Sequence, residues 1–280
     1  MSQLPVFVNG QAMTEISYLD RGFNYGDGLF ETIRVNHGVP VLWSLHLDRL
    51  LSGCNRLGIA LSTDQVQFTL DQLMAAALAA GFSSGIAKLV ITRGVGGRGY
   101  TPEMTAQPSI VSSWHAIPQP AMSRYSDGIS LLLCESPLSR NPLLAGIKHM
   151  ARLEQVLAAR EVAQSGADDG LLVDVDGYII EALAANIFFQ QGAVLHTPCL
   201  NQAGVAGTLR RYLMDTVAPE LSVPVVEREI HYSELANFDH AFISSSVFGL
   251  TPVSSIGDRP MSDSVLMRQL QTVINEVVCE

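Results

Sequence analysis

The sequence predicts an α+β fold arranged as two domains, and three observations carry that expectation. Short alternating apolar segments end in hairpin turns such as Asn9-Gly10 and Asp176-Gly177, the usual way to join antiparallel strands. Hairpins outnumber strand–helix–strand units, which argues against a doubly wound parallel sheet. A polar stretch carrying two prolines, Pro118-Gln119-Pro120, falls between two strand-rich parts and reads as a linker. The expected boundaries are an N-terminal α+β domain over 1–117, a linker over 118–123 and a C-terminal domain over 124–280.

The elements follow in chain order. Pro5-Val6-Phe7-Val8 runs as a strand into the Asn9-Gly10 turn. Leu29 to Val35 alternates apolar and polar, and Asn36-His37-Gly38 turns the chain into Val39–Trp43. Leu47, Leu50, Leu51, Cys54 and Leu57 recur at helical spacing, with Gly58 as the stop. Ser62-Thr63-Asp64-Gln65 is a capping box for a second helix that should bury Val66, Leu70, Leu73, Met74 and Leu78. Strands are expected at 87–92 and 109–114, separated by the loop Arg93–Tyr100. In the second part a strand at 129–134 precedes a helix from about His149 to Gly166, whose apolar stripe would be Met150, Leu153, Val156, Leu157 and Ala163. Hairpins then turn at Asp176-Gly177 and Gln191-Gly192. A helix is expected over 208–217, strands at 225–229, 241–244 and 252–256, and a terminal helix over 262–278.

Composition narrows the function. Hydrophobic residues make up 48% of the chain and charged ones 16%, so the chain has a core to bury and is not disordered. The net charge of −10 opposes a general nucleic-acid surface, which needs a basic footprint. Mean hydropathy is +0.24, yet no apolar run reaches the ~18 residues of a membrane span. The start, Met-Ser-Gln-Leu-Pro, lacks the marks of a signal peptide. The four cysteines show no CxxC spacing and the histidines no HExxH, so no metal site is expected. Reduced thiols and a cytoplasmic location are the resulting expectation.

Lysine is the informative scarcity. Of 17 basic residues only Lys88 and Lys148 are lysines. Arginine stays protonated, whereas a desolvated lysine can lose its proton and attack a carbonyl. Amine chemistry would therefore rest on one of these two. Lys88 lies in an apolar strand-like run; Lys148 follows Ala145-Gly146-Ile147 at the expected helix start, where a cation opposes the helix dipole. Glu181 ends an apolar strand among small residues, where a carboxylate calls for a partner. The loop Gly204-Val205-Ala206-Gly207 leads into Thr208-Leu209-Arg210, a candidate anion cradle at a helix start. Ser244-Ser245-Ser246 adds hydroxyls, and Arg49 falls on the polar side of its helix. Arg93 and Arg98 lie in a Gly-rich loop that no helix follows, which argues against a nucleotide P-loop but suits gripping substrate carboxylates.

Together these segments resemble the class IV aminotransferase family, pyridoxal-phosphate enzymes of fold type IV. The resemblance rests on Tyr25-Gly26-Asp27-Gly28-Leu29-Phe30-Glu31, His46-Leu47-Asp48-Arg49-Leu50, Lys148, Glu181 with Asn186-Ile187-Phe188, Gly207–Arg210, and Ser244–Ser246 before Thr251-Pro252-Val253. Leu183 and Thr208 depart from the family's usual residue types. The segments 93–100, 145–157 and 201–205 look most like the 4-amino-4-deoxychorismate lyase branch.

The resemblance implies a two-domain architecture with a barrel-like α/β C-terminal domain and the cofactor, pyridoxal 5'-phosphate, at the domain interface. It makes Lys148 the residue that carries the cofactor covalently and then works as acid and base. It assigns Glu181 to the pyridine nitrogen, and Arg49, the Thr208 and Leu209 N–H groups and Ser246 to the phosphate. It also implies a small carboxylate substrate, a homodimer, and a lyase that yields 4-aminobenzoate and pyruvate for folate synthesis. The alternatives are a branched-chain or D-amino-acid aminotransferase of the same fold and a cofactor-free binding protein.

Overall fold

The computed structural model describes residues 4–103, 106–118 and 126–278. Two units emerge: Met1–Pro118 with Ile147–Ala151, and Gln119–Gly146 with Arg152–Glu280. Residues 119–123 of the expected linker lie outside the described residues. Segment 147–151, which the sequence reading kept in the second domain, groups with the first unit.

The first unit is an antiparallel sheet in the order β2-β1-β6-β5-β3-β4. Its strands are β1 (Val6–Val8), β2 (Gln11–Ala12), β3 (Gly28–Asn36), β4 (Val39–Pro40), β5 (Gly85–Thr92) and β6 (Ser109–His115). Asn9 and Gly10 both take positive φ in the β1–β2 turn, the backbone an Asn-Gly hairpin provides. A short α1 (Arg21–Tyr25) precedes β3, and α2 (Trp43–Leu57) and α3 (Thr63–Ala79) follow it. Gly58 closes α2 at φ 67, and the Ser62–Gln65 capping box opens α3. Along β3, Leu29, Glu31, Ile33 and Val35 are fully buried, as are Val66, Leu70 and Leu73 of α3. Leu78, expected inside, is exposed, because the buried stripe of α3 runs through Val66, Leu70, Leu73 and Ala77 and leaves Leu78 off that face.

The second unit carries the sheet β12-β11-β10-β13-β14-β7-β8-β9, with β15 on β14. These strands are β7 (Ile129–Leu133), β8 (Asp169–Val173), β9 (Ile179–Ala182), β10 (Asn186–Gln191), β11 (Val194–Pro198), β12 (Val225–Arg228), β13 (His240–Ser245), β14 (Gly249–Ile256) and β15 (Arg259–Pro260). β7–β8 and β11–β12 are parallel, since long helical crossovers connect them. The two edges meet: Ile179 N donates to Ile230 O at 2.8 Å, just past β12. Ile129, Leu171, Ile187, Phe189, Ile243 and Val253 share one apolar core.

Two helical expectations need correction. The helix after Lys148, α4, spans Leu153–Ser165 and does not begin near His149. Lys148 O and Met150 N are bonded to Phe30 N and Gly28 O at 3.0 and 2.9 Å, so they cannot serve a first helical turn. Lys148 thus lies outside α4, in a segment bonded to β3. The apolar stripe also differs. Ala158 and Val162 are buried, whereas Leu153, Val156 and Leu157 are 77, 62 and 53% exposed. Gly170 on β8 lets the helix approach by this small-residue face: a Cβ there would come within 2.8 Å of Val162 Cγ2. The expected helix 208–217 is α5 (Thr208–Tyr212), a π-helical turn (Leu213–Val217) and α6 (Ala218–Glu220). Pro219 has no N–H to give, and the turn before it widens. The chain closes on α7 (Val265–Val278).

Candidate active site

In the first unit the residues of interest gather at the start of β3. Segment 147–151 lines the edge of β3 through the two backbone bonds above and a bridge between Leu29 and His149. Gly28 permits this crowding, since a Cβ there would meet Met150 Sδ at 2.7 Å. Lys148 Nζ stands 4.5 Å from the centroid of the Phe30 ring. The next residue, Glu31, is fully buried and accepts from Arg49 Nε at 2.8 Å, Arg49 Nη2 at 2.5 Å and His46 Nδ1 at 2.6 Å. Arg49 is therefore no solvated residue of the polar helix face: its side chain is 12% exposed and turned toward β3.

Burial alone would raise the Glu31 carboxyl, but Arg49 and His46 overcome it and hold it at about 2. Burial pushes His46 the other way, below its ordinary value. The pair is thus an ionised carboxylate and a neutral imidazole whose Nδ1–H donates.

The second unit assembles its own group at one end of the sheet. Glu181, on β9, is buried, and its Oε2 accepts from Val205 N at 2.8 Å. Asn186, at the start of β10, donates Nδ2 to Val205 O at 2.8 Å, so the Val205 residue is held at both backbone polar groups. Gly146 fixes the same loop: its N–H donates to Gly204 O at 2.9 Å, and Ala206 N donates to its carbonyl at 3.0 Å. Gly204 allows this loop to lie on β9, because a Cβ there would be 2.6 Å from Ile180 Cγ2 and 3.2 Å from Glu181 Oε2. Thr208 and Leu209 begin α5, both buried, and the N-cap Gly207 gives that helix start no side-chain cap. Ser244 pairs with Asn186 across the β13–β10 ladder, and its buried hydroxyl has no partner among the described residues. Ser246 follows, half-buried, in the turn to β14.

Behind this end, Thr197 Oγ1 donates to Ile187 O at 2.9 Å, and Arg210 reaches Pro198 O at 3.1 Å and Glu227 at 2.9 Å. The Arg210 bonds fasten α5 to the sheet.

The two loop arginines part company. Arg93 donates to both oxygens of Asp27 at 2.7 and 2.9 Å and to the carbonyls of Leu57 and Gly58 at 2.7 and 2.9 Å. Four of its five N–H groups are thus spent on an ion pair and on the end of α2. This corrects its expected place as a substrate anchor. Asp27, raised by burial but more strongly lowered by Arg93 and Arg21, stays below the usual carboxylate range. Arg21 in turn holds the loop through Gly99 O and Tyr100 O, both at 3.0 Å. Arg98 is exposed and has no partner among the described residues.

Glu31 and His46 were not among the candidates the sequence offered. Glu31 occupies an inward position in the alternation of β3, and a carboxylate there demands donors; His46 and Arg49, three apart on one helix, were the available ones. Lys88 stands on β5 opposite Thr32 and Ser113, with Nζ 5.8 Å from the same Phe30 ring that Lys148 faces. Both lysines of the chain thus flank one aromatic side chain. Only strand register reveals this. Among the described residues no cluster of His, Cys, Asp and Glu is placed to hold a metal ion.

The pattern of the family described as amino-transferase class IV covers residues 28–256, and the chain belongs to that family. An aminodeoxychorismate lyase of Vibrio harveyi is 35% identical over 96% of this chain and 99% of its own. The crystal structure of 4-amino-4-deoxychorismate lyase from Pseudomonas aeruginosa superposes with a TM-score of 0.91 at 38% identity, over 97% of this chain and 98% of that one. A candidate branched-chain-amino-acid aminotransferase of Methanocaldococcus jannaschii is 29% identical over 93% of this chain and 90% of its own.

Enzymes of this family work with pyridoxal phosphate. The residues present fit such a group. A buried carboxylate suits a ring nitrogen, and an uncapped helix start beside a buried, unpartnered hydroxyl suits a phosphate. No helix among the described residues is long and apolar enough to cross a membrane.

Proposed function

We propose that this chain is a pyridoxal-phosphate-dependent lyase that converts 4-amino-4-deoxychorismate to 4-aminobenzoate and pyruvate, a step of folate synthesis. The observation that carries it is the 35% and 38% identity to lyases over nearly the whole chain, against 29% for the aminotransferase relative. When bound, the cofactor supplies an electron sink conjugated to the substrate amine.

The chain's own residues divide the work. Lys148 carries the cofactor and then moves the proton at the amine-bearing carbon of the substrate. Glu181, buried on β9, would face the pyridine nitrogen and keep it protonated. Arg49, the N–H groups of Thr208 and Leu209, and the Ser246 hydroxyl hold the phosphate. Loss of the enolpyruvyl group as pyruvate leaves an aromatic ring, so the reaction closes without a second substrate.

The substrate carboxylates need cations. Arg98 is exposed in its loop, and Lys88 flanks Phe30 beside Lys148; these two replace the pair Arg93 and Arg98. We also propose a homodimer, for which the exposed Leu153, Val156 and Leu157 of α4 offer an apolar face, and a cytoplasmic location, which the free thiols of Cys54, Cys134 and Cys199 support. Supplying aminodeoxychorismate with no keto acid tests the function: continuous release of 4-aminobenzoate is expected, and turnover only with 2-oxoglutarate would make the chain an aminotransferase.

A further inference from the structure

We infer that Glu31 and His46 are positioning residues that fix the Arg49 guanidinium for the cofactor phosphate; the inference rests on the reading of Arg49 given above. The alternation of β3 directs Glu31 to the face that α2 covers, between Leu29 and Ile33, and its side chain is 0% exposed. His46 and Arg49, one turn apart on α2, converge on it. Oε1 accepts from Arg49 Nε at 2.8 Å, and Oε2 accepts from Arg49 Nη2 at 2.5 Å and from His46 Nδ1 at 2.6 Å.

The two Arg49 bonds clasp the guanidinium along one edge and fix its plane, which a long side chain on a helix surface would otherwise sample freely. His46 stops the carboxylate from turning out of that plane. Gly53 brings α2 close enough for the contact, since a Cβ there would lie 2.9 Å from Leu29 Cδ2 and 3.6 Å from Ile147 Cβ.

Stability alone does not explain why an ion pair stands here rather than apolar residues. The other inward positions of β3 are Leu29, Ile33 and Val35, and exchanging a buried ion pair for apolar residues of like volume is often neutral or stabilising. What the trio supplies is orientation. Consecutive residues of β3 set both groups: Phe30 N bonds the Lys148 carbonyl, and Glu31 bonds Arg49. The strand thereby fixes the spacing between the cofactor-bearing lysine and the arginine assigned to the phosphate.

A double-mutant cycle tests this, with pyridoxal phosphate titrated into the cofactor-stripped protein and the phosphorus resonance of the bound cofactor recorded. Glu31→Gln and His46→Asn should each weaken binding about ten-fold or more, the scale set by partners that orient a ligand-binding group, and shift or broaden that resonance. In an Arg49→Ala background neither should weaken binding further. Equal losses in both backgrounds, or a lowered melting temperature with affinity and resonance unchanged, would assign the trio to folding alone and overturn the inference while the Arg49 reading stands. Unchanged affinity in Arg49→Ala itself would overturn that reading and the inference with it. Should Glu31→Gln not fold, His46→Asn carries the same cycle.

Discussion

Replacing Gly207 by alanine isolates one contact on which the second unit's site depends. Gly207 has φ −64 and ψ 140, a conformation alanine adopts without strain, so any cost must come from the added methyl. That methyl would fall well inside contact distance of Asn186 Oδ1. Asn186 is buried and bonded to Val205 O, so it can yield only by breaking that bond. The lost bond to a buried carbonyl costs about 1–3 kcal/mol and the overpacking about as much again, so roughly 2–6 kcal/mol is expected. Freeing the Val205 carbonyl also loosens the loop that enters α5, and cofactor affinity should fall about ten-fold for each 1.4 kcal/mol passed to it. Urea unfolding of the cofactor-free protein reads the first effect and a pyridoxal-phosphate titration the second. Asn186→Ala removes the obstacle, so Gly207→Ala should be nearly silent in that background. A Gly207→Ala protein within about 0.5 kcal/mol of the parent, a change typical of neutral surface sites, would refute the reasoning; so would an equal loss in both backgrounds.

Other outcomes follow from the same geometry. Lys148→Ala should abolish both turnover and the visible absorbance of the lysine-bound cofactor, whereas Lys88→Ala should keep the absorbance and raise KM about 10- to 100-fold, the scale of one lost charged hydrogen bond; peptide mapping after borohydride reduction checks which lysine is modified. Glu31, at about 2 in the folded chain against an ordinary 4.5, contributes up to about 3 kcal/mol that is fully present above pH 4.5 and lost as pH falls toward 2; urea midpoints should drop across that window in the parent and less in Glu31→Gln. Arg93→Ala should lower stability by about 1–3 kcal/mol, since it removes the donors to the Leu57 and Gly58 carbonyls and leaves Asp27 with Arg21 as its remaining cation, with substrate KM little changed. Arg98→Ala should do the reverse, raising KM at unchanged melting temperature.

Much of the fold was legible because its signals are local. The Asn9-Gly10 turn, the Ser62–Gln65 box and Gly58 all specify backbone within a few residues, and each formed as read. The failures came where distant chain intervened. Lys148 lost its expected helix because β3 claims the backbone of 148–150, and α4 turned Ala158 inward rather than Leu153 because small residues allowed close approach to β8. The parallel pairs were hidden by crossovers whose strands meet far apart in sequence.

At the site, residue types were readable and partners were not. Arg93 and Arg98 are alike in sequence, yet Asp27 and the end of α2 claim only the first. Lys88 gained its significance from register opposite Thr32.

The central claim is that the chemistry closes on one substrate. Purified holoenzyme incubated with 4-amino-4-deoxychorismate, with every keto acid removed, should release 4-aminobenzoate and pyruvate in equal amounts through many turnovers. A single stoichiometric turnover that resumes only when 2-oxoglutarate is added would contradict the account.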